Sequence, residues 1–275
     1  PADAVLAHFP TISRRDLVDD LAAFVPLDAD LSRMLHGTSS GSTGAALLIP
    51  DDVEEVARGF HLLVSLAASA GVSVDATGER MAVANLVFQR QAFTYVSVIS
   101  SFAQRAMARL NLHPSAWPGP GARERFLADA DPRMLSGHPT SLAELLDAGL
   151  DAVLHPQVIF SGAMALSGPL RARLEAAFAC PVFDVYGLHE TRPIAARTDD
   201  GPFRVLDRRV QVEVLDPHRD VAVAEGEMGE IVVTAGENPL LPLVRYRTGD
   251  HGRLVTLDGG GVGIADLEGR ENTRF

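Results

Sequence analysis

Lysine is absent from this sequence, cysteine occurs once, and there is no long apolar run. All 24 basic residues are arginine, so a mechanism that needs a lysine from this chain is excluded. Because Cys180 is alone, no intrachain disulfide or cysteine-based zinc site can form, which favours a reducing cytoplasm. No stretch of about 18 apolar residues and no signal peptide occur, so we expect a soluble intracellular protein without a membrane partner.

The charge balance argues against nucleic acid as a partner. The formal net charge is -12, whereas a nucleic-acid surface needs Lys and Arg clustered on one face. The length of 275 residues and the hydrophobic content of 47% are ordinary for a packed globular protein with one large domain or two modest ones.

Helical and strand signals alternate over the first two thirds of the chain. The expected helices are 14–24, 51–70, 94–110, 139–149 and 168–179, and the expected strands are 81–88, 133–136, 158–161 and 182–186. This alternation predicts the α/β class, with a largely parallel sheet covered by helices over residues 1–190. Short strands separated by Gly, Pro and Asp turns then predict a smaller β-rich subdomain over 191–265, with strands at 205–206, 210–215, 230–234 and 252–257.

A loop rich in glycine and hydroxyl groups lies between two expected strands. It reads Gly37-Thr-Ser-Ser-Gly-Ser-Thr-Gly44, and its backbone amides can wrap phosphate oxygens. It is not a Walker loop, because Ala45 and Ala46 replace the required Lys and Ser or Thr. The hydrolase pattern G-x-S-x-G also fits around Ser39, but that motif needs a helix next, and an apolar run typical of a strand follows. A mobile surface turn is the simpler alternative.

Two further segments carry aromatic and acidic side chains. In Tyr186-Gly-Leu-His-Glu190 the aromatic ring can stack on a base and the carboxylate can hold magnesium. In Tyr246-Arg-Thr-Gly-Asp250 the aspartate can accept both hydroxyls of a ribose. Taken alone, the first has a simpler explanation as a core strand with a solvated turn, and the second as a surface ion-pair cluster.

In combination, these segments resemble the adenylate-forming acid ligases, most closely the phenylacetate-coenzyme A ligase branch. Other segments that match this branch, in its order and over nearly the whole chain, are Phe9-Pro-Thr-Ile-Ser-Arg-Arg-Asp-Leu17, Ser161-Gly-Ala-Met164, Gly226-Glu-Met-Gly-Glu-Ile-Val-Val233 and Asp266-Leu-Glu-Gly-Arg-Glu-Asn272. The resemblance implies the N-terminal domain of such enzymes. Residues 1–190 would be its nucleotide- and acid-binding core, and 266–275 the hinge toward a C-terminal domain.

The resemblance also implies the reaction and its residues. The chain would use ATP to activate a carboxylic acid, which could be aromatic, and then transfer the acyl group to coenzyme A. Glu190 would ligate Mg2+, and with His189 and Arg270 it would form the catalytic set; Arg270 would also contact ribose. The nucleotide-binding residues would be Ser39, Ser40, Gly41, Ser42, Thr43, Gly44, Gly162, Ala163, Asp184, Tyr186, Gly187, Asp250 and Arg253. An apolar acyl pocket would contain Phe88, Phe93, His138 and Met164, although such residues are also ordinary core.

The chain departs from the family at several points. His189 stands where the family has a Thr or Ser that touches phosphate, so this contact is expected to depend on pH. Asn272 replaces the hinge Asp, and the phosphate loop lacks its trailing Lys and Pro. In the family a C-terminal domain supplies the lysine that assists adenylation, whereas this sequence stops at Phe275, so we expect it to bind ATP and an acid without being a complete catalyst.

Other functions stay open at this point. The acyl adenylate could pass to an amine or to a carrier-protein thiol, which would add a carrier protein to the small carboxylic acid as a partner. The chain could instead be a degenerate homologue that binds nucleotide without turnover, or a serine hydrolase acting through Ser39. The sequence is also compatible with a homodimer.

Overall fold

The structure is a computed structural model that describes residues 5–39, 47–74 and 79–269. Helices α1 to α5 are Arg14–Asp19, Val53–Ser69, Ala122–Ala130, Pro139–Asp147 and Gly168–Phe178. Strands β1 to β15 are Ile12–Ser13, Met34–Ser39, Leu47–Asp52, Val83–Val87, Tyr95–Ile99, Arg105–Asn111, Met134–Gly137, Val158–Gly162, Val182–Leu188, Arg192–Arg197, Phe203–Val205, Val210–Leu215, Gly229–Ala235, Leu243–Thr256 and Val262–Glu268.

The chain forms two compact units. The first contains Pro1–Arg58, Tyr186–Arg197 and Gly201–Phe275, and the second contains Gly59–Val185 and Thr198–Asp200. The division predicted from the sequence, at residues 190 and 265, stays a prediction. None of the helices in the described residues is long and apolar enough to cross a membrane.

The second unit is built on a mostly parallel sheet. Strands β9, β8, β7, β4 and β6 lie side by side in that order and all run parallel. Residues Val158 to Ser161 of β8 are buried without alternation, as expected for a strand covered on both faces. A core beneath helices α3 to α5 includes Leu86, Leu110, Leu127, Leu135, Leu142, Leu145, Ile159 and Leu174. The predicted α/β class is confirmed.

Cys180 belongs to this core and lies two residues after the end of α5. Burial, together with the nearby Glu175 carboxylate, raises the pKa of its thiol to about 12. The side chain therefore stays a neutral thiol at physiological pH, where it packs as a small apolar group.

The helix predicted over 94–110 is wrong. This stretch forms β5 and β6, an antiparallel pair in which Tyr95 lies opposite Arg109 and Ile99 opposite Arg105. The β-branched residues of β5 favour an extended backbone. Most side chains of β5 are exposed, so the apolar spacing there does not mark a buried helix face.

The first unit is dominated by an antiparallel sheet. Its strand order is β12, β13, β14, β15, β11 and β10, and the short β1 pairs in parallel with β14. The predicted β-rich part is thus confirmed. Strand β14 begins nine residues earlier than the predicted strand at 252, because residues 243–250 pair with β13 instead of forming a turn. Strands β2 and β3 form a separate antiparallel pair. The hydrolase motif at Ser39 requires a helix after the serine, but the next described element is strand β3. The structure therefore does not fit this motif.

Acidic side chains set the starts of α1 and α2. The Ser13 backbone N–H and hydroxyl both donate to Asp16 Oδ2 at 2.7 Å, so the Asp16 carboxylate closes the first turn of α1. Helix α1 is shorter than predicted, because Asp20 leaves helical geometry and accepts from the Ala23 N–H to begin a separate 3-10 turn. Asp52 accepts from the Glu54 N–H at 2.8 Å, so α2 begins after Asp52 rather than at 51.

Candidate functional site

Two motifs of the first unit are joined by hydrogen bonds at both of their ends. The Tyr186 hydroxyl donates to Asp250 Oδ2 at 2.9 Å, and the Tyr246 hydroxyl donates to Glu190 Oε1 at 3.3 Å. Residues four apart on a strand point to the same face, which explains how Tyr246 and Asp250 on β14 both reach the segment Tyr186–Glu190. The structure therefore brings three of the predicted site residues together on one face of β14.

Neighbouring groups fix both members of the Tyr186 and Asp250 pair. The Tyr186 ring packs edge-on against Phe203, with ring centroids 6.3 Å apart. Asp250 is buried, and its backbone N–H donates to Thr248 Oγ1 at 3.0 Å. The Thr248 hydroxyl is itself anchored to the Ile231 carbonyl at 2.8 Å. The aromatic ring and the carboxylate are thus each held by contacts within the first unit.

Glu190 is buried in the turn between β9 and β10, and its two carboxylate oxygens have different surroundings. Oε1 accepts from Arg14 Nη1 at 2.5 Å and from the Tyr246 hydroxyl. Oε2 has no hydrogen-bond partner among the described residues. One oxygen is therefore anchored by the protein while the other can accept a further ligand.

The surroundings of Glu190 fit Mg2+ that is also bound by the phosphates of a nucleotide. Within residues 5–39, 47–74 and 79–269, no group of three or more His, Cys, Asp or Glu could hold a metal ion. Mg2+ in nucleotide sites is commonly bound by one or two carboxylates, with phosphate oxygens and waters completing its six ligands. Glu190 Oε2 can supply the single carboxylate oxygen of such a site.

His189 packs directly on the backbone of β2. A Cβ atom added to Gly37 would lie 2.4 Å from His189 Nε2, and this nitrogen is buried without a hydrogen-bond partner in the described part of the chain. Burial and then the Arg192 charge lower the pKa of His189, while Asp51 and Glu190 oppose them. A neutral imidazole therefore lies beside the strand that leads into the predicted phosphate loop.

The remaining predicted residues of the first unit have structural contacts. Gly187 lies against the backbone of Arg192 and Pro193. Arg253 donates from Nε to Asp266 Oδ2 at 2.9 Å and from Nη1 to the Gly226 carbonyl at 2.8 Å. The backbone of Ser39 ends β2, whereas Ser40, Gly41, Ser42, Thr43, Gly44 and Arg270 lie outside the described residues.

In the second unit, three predicted nucleotide-binding residues lie on or directly after β8 and on β9. Gly162 ends β8, and Ala163 follows with a φ of 66°, a left-handed conformation that is strained for alanine. Asp184 on β9 is buried opposite Ser161, and its Oδ2 is 4.0 Å from Arg171 Nη2. Ligands of parallel sheets bind beyond the carboxyl ends of the strands, which is where Gly162 and Ala163 lie.

The four predicted acyl-pocket residues have different surroundings. Phe88 packs on the core and contacts His113, with ring centroids 5.3 Å apart. The side chains of Phe93 and Met164 are 88% and 52% exposed. His138 caps α4, because its Nδ1 accepts from the Ser141 N–H at 3.3 Å. Their assignment to an acyl pocket stays a prediction.

The capping role of His138 predicts a loss of stability in acid. Burial lowers the pKa of His138 from its ordinary 6.5, so the unfolded chain takes up this proton at a higher pH than the folded chain. The neutral side chain therefore contributes its full stability above pH 6.5, and this contribution falls as the pH drops. For one proton the slope cannot exceed about 1.4 kcal/mol per pH unit.

We expect His138→Asn, which retains a capping side chain, to reduce the loss of stability between pH 7 and pH 5 while changing stability little at pH 7. Urea unfolding at several pH values measures this, with the exposed His218→Asn as control. An unchanged pH slope in His138→Asn would show that other groups govern the acid response.

Sequence reasoning missed two residues that contact Glu190. Arg14 and Tyr246 belong to segments that we matched to the family, but neither was assigned a role. No local pattern marks the Arg14 contact, since 176 positions separate it from Glu190. For Tyr246, the four-residue spacing to Asp250 on one strand was the available signal.

Comparison with known proteins identifies the family. The family described as AMP-binding enzyme matches residues 19–238, which is most of the chain. The chain belongs to the AMP-binding enzyme family. This confirms the resemblance to adenylate-forming ligases that the sequence motifs indicated.

Curated relatives in this family include phenylacetate-coenzyme A ligases. The protein from Pseudomonas putida is 30% identical over 141 residues, which cover 48% of this chain and 32% of that protein. The protein from Escherichia coli (strain K12) is 33% identical over 99 residues, which cover 34% of this chain and 22% of that protein. The matched part of this chain thus spans about a third or less of these relatives.

Solved structures share the fold of this AMP-binding enzyme. A 2-hydroxyisobutyryl-CoA ligase, in an open conformation with 2-HIB-AMP and CoA, superposes with a TM-score of 0.66 at 17% identity, over 98% of this chain and 61% of that one. ATP-bound MatB from Rhodopseudomonas palustris gives 0.58 at 18% identity, over 86% of this chain and 49% of that one. At such identities the likeness supports the fold alone.

Proposed function

We propose that this chain provides the nucleotide-binding part of an ATP-dependent acid ligase. The complete protein would activate a carboxylic acid as an acyl adenylate and transfer the acyl group to coenzyme A. The observation that carries the proposal is the double connection between Tyr186–Glu190 and Tyr246–Asp250, which gathers an aromatic ring and two carboxylates. The names of the relatives support coenzyme A as the acceptor and an aromatic acid as the substrate class.

The side chains of the site suit the parts of ATP. Tyr186 offers a ring face to adenine, and the Asp250 carboxylate can accept the two ribose hydroxyls. Glu190 Oε2 would hold Mg2+, which when bound neutralises phosphate charge. The carboxylate of the acid substrate would then attack the α-phosphorus of ATP, and pyrophosphate would leave. His189 would meet the phosphates as a neutral hydrogen-bonding group in place of the family's hydroxyl.

A second candidate is a homologue that binds nucleotide without turnover. His189 favours it, because a buried imidazole packed on Gly37 is bulkier than the Thr or Ser usual in the family. Both candidates require an intact nucleotide site. They differ in whether the complete protein releases pyrophosphate when an acid is added.

Calorimetric titration with ATP and Mg2+ tests the site. We expect Asp250→Asn to weaken ATP binding at least about tenfold, since hydrogen bonds to a charged acceptor contribute roughly 1.5–3 kcal/mol. We expect Tyr186→Phe to weaken it less, about fivefold, because this variant keeps the ring and the Asp250 carboxylate and loses only the hydroxyl that orients the carboxylate. The control is Asp258→Asn, an exposed position in the turn between β14 and β15.

Two results would contradict the proposal. The first is equal ATP affinity in the parent and in Asp250→Asn. The second is no ATP binding by a parent chain that circular dichroism reports as folded. ATP binding that follows the expected order, without pyrophosphate release by the complete protein for any acid, would favour the second candidate.

A further inference from the structure

Among the described residues, Arg14 forms an ion pair with the carboxylate that we propose as the Mg2+ ligand. Its guanidinium Nη1 lies 2.5 Å from Glu190 Oε1, and the two side chains are 14% and 3% exposed. The contact therefore lies in a largely water-excluded environment, where charges interact more strongly than at the surface. A side chain this close to Glu190 must affect any cation that Glu190 binds.

The backbone that carries Arg14 is held in place from both sides. Just before it, Ile12 and Ser13 pair with Tyr246 and Arg247 of β14, the strand that carries Asp250. Arg14 itself begins α1, whose first turn is closed by the bonds between Ser13 and Asp16. The position of the guanidinium is thus set by the same strand that forms the proposed nucleotide site.

Arg14 and Tyr246 together fix the Glu190 carboxylate. Both donate to Oε1, from different elements, so rotation about the last side-chain bond is restrained. Oε2 remains for an external ligand. This restraint orients the carboxylate before any ligand arrives, which lowers the entropy lost on binding.

The charge of Arg14 has opposite consequences for a bare cation and for a cation that carries phosphates. With Arg14 protonated, the Arg14 and Glu190 pair has no net charge, and a bare divalent cation at Oε2 would also be repelled by the nearby guanidinium. A cation that arrives with a nucleotide brings negative phosphates, which the guanidinium attracts.

We propose that Arg14 is a positioning residue that makes the Glu190 carboxylate bind a divalent cation together with a nucleotide and not alone. This rests on the proposed function in taking Glu190 as a cation ligand and in placing a nucleotide beside it. Through Arg14, strand β1 and helix α1 would affect whether the site binds a bare cation or a cation that carries a nucleotide.

Mn2+ binding in the absence of nucleotide tests the proposal, because electron paramagnetic resonance reports free Mn2+ directly and needs no enzyme activity. We expect the parent to bind bare Mn2+ weakly and Arg14→Gln to bind it at least about tenfold more tightly, since a nearby like charge has been removed. Arg14→Lys keeps the charge and should behave as the parent does.

Two control variants locate the effect. Arg15→Gln removes the neighbouring arginine, whose side chain is 88% exposed and pairs with Asp19, and it should leave Mn2+ binding unchanged. The double variant Arg14→Gln with Glu190→Gln should lose the gained affinity. If it kept that affinity, the cation would be binding elsewhere and the proposal would be wrong.

A second measurement uses only the parent chain, and so does not depend on any variant folding. With saturating AMP-PNP, a non-hydrolysable ATP analogue, the parent chain should bind Mn2+ more tightly than AMP-PNP binds it in buffer without protein. Tight binding of bare Mn2+ by the parent, or an unchanged affinity in folded Arg14→Gln, would overturn the assignment of Arg14. Failure of the parent to bind AMP-PNP, with a gain of Mn2+ affinity in Arg14→Gln, would instead overturn the proposed function and the nucleotide part of this proposal, while supporting Arg14 as the residue that excludes a bare cation.

Discussion

Arg245→Met is expected to lower the free energy of unfolding by about 3 kcal/mol, because it leaves a partly buried carboxylate without its counter-charge. The Arg245 side chain is 2% exposed and forms two hydrogen bonds of 3.1 Å to the carboxylate of Glu213. Its Nη1 also donates to the Phe9 carbonyl at 2.7 Å. The expected value is at the low end for buried pairs, since Glu213 retains 18% exposure.

Urea unfolding of three variants would test this explanation. Adding Glu213→Gln to Arg245→Met should recover most of the lost stability, because no unpaired charge then remains. Arg219→Met, which removes an arginine paired with Asp216 on the surface, should change stability little. If the double variant is as unstable as Arg245→Met alone, lost packing rather than the unpaired Glu213 explains the effect.

Gly187→Ala is expected to destabilise the protein by at least about 3 kcal/mol, beyond the usual range for an added methyl group in a packed site. A Cβ at this position would lie 2.5 Å from the Arg192 carbonyl oxygen and 2.8 Å from Pro193 Cα. Both are backbone atoms, so no side-chain rotation can relieve the clash and β10 would have to move. Because Tyr186 is the adjacent residue, ATP binding should weaken as well.

Gly59→Ala is the matched control for this substitution. Gly59 lies inside α2, and a Cβ there would meet no atom within 4 Å. Alanine is the better helix former, so this variant should gain roughly 0.5–1 kcal/mol of stability. Thermal and urea unfolding of both variants would measure the contrast. Similar stabilities for Gly187→Ala and the parent would mean that β10 adapts readily.

Much of the fold follows from the local sequence, because buried parallel strands need continuous apolar runs. The runs that form β7, β8 and β9 are short, apolar and separated by helical stretches, so their type and order could be predicted. The region 94–110 could not, because β5 is exposed and its apolar residues face no core. Periodicity predicts structure only where one face of an element is buried.

The site could be predicted only in part, for a related reason. Tyr186, Glu190 and Asp250 stand out because each belongs to a short motif with its own composition. Arg14 reaches Glu190 only because β1 pairs with β14, a contact between distant parts of the chain. His138 is ambiguous in sequence, since a histidine before Pro139 suits both a ligand site and a helix cap. The bond from the Ser141 N–H shows the cap, and a contact with substrate stays a prediction.

The burial of Cys180 gives the experiments above a convenient reporter. Maleimides and spin labels react with thiolates, and a thiol whose pKa is raised to about 12 reacts with them very slowly. A single cysteine introduced at the exposed Arg15 or Asp258 would therefore be modified selectively, with the native residue left in place. A label at residue 15 would then report the mobility of α1 as nucleotide is added, in a protein that differs from the given sequence at one position.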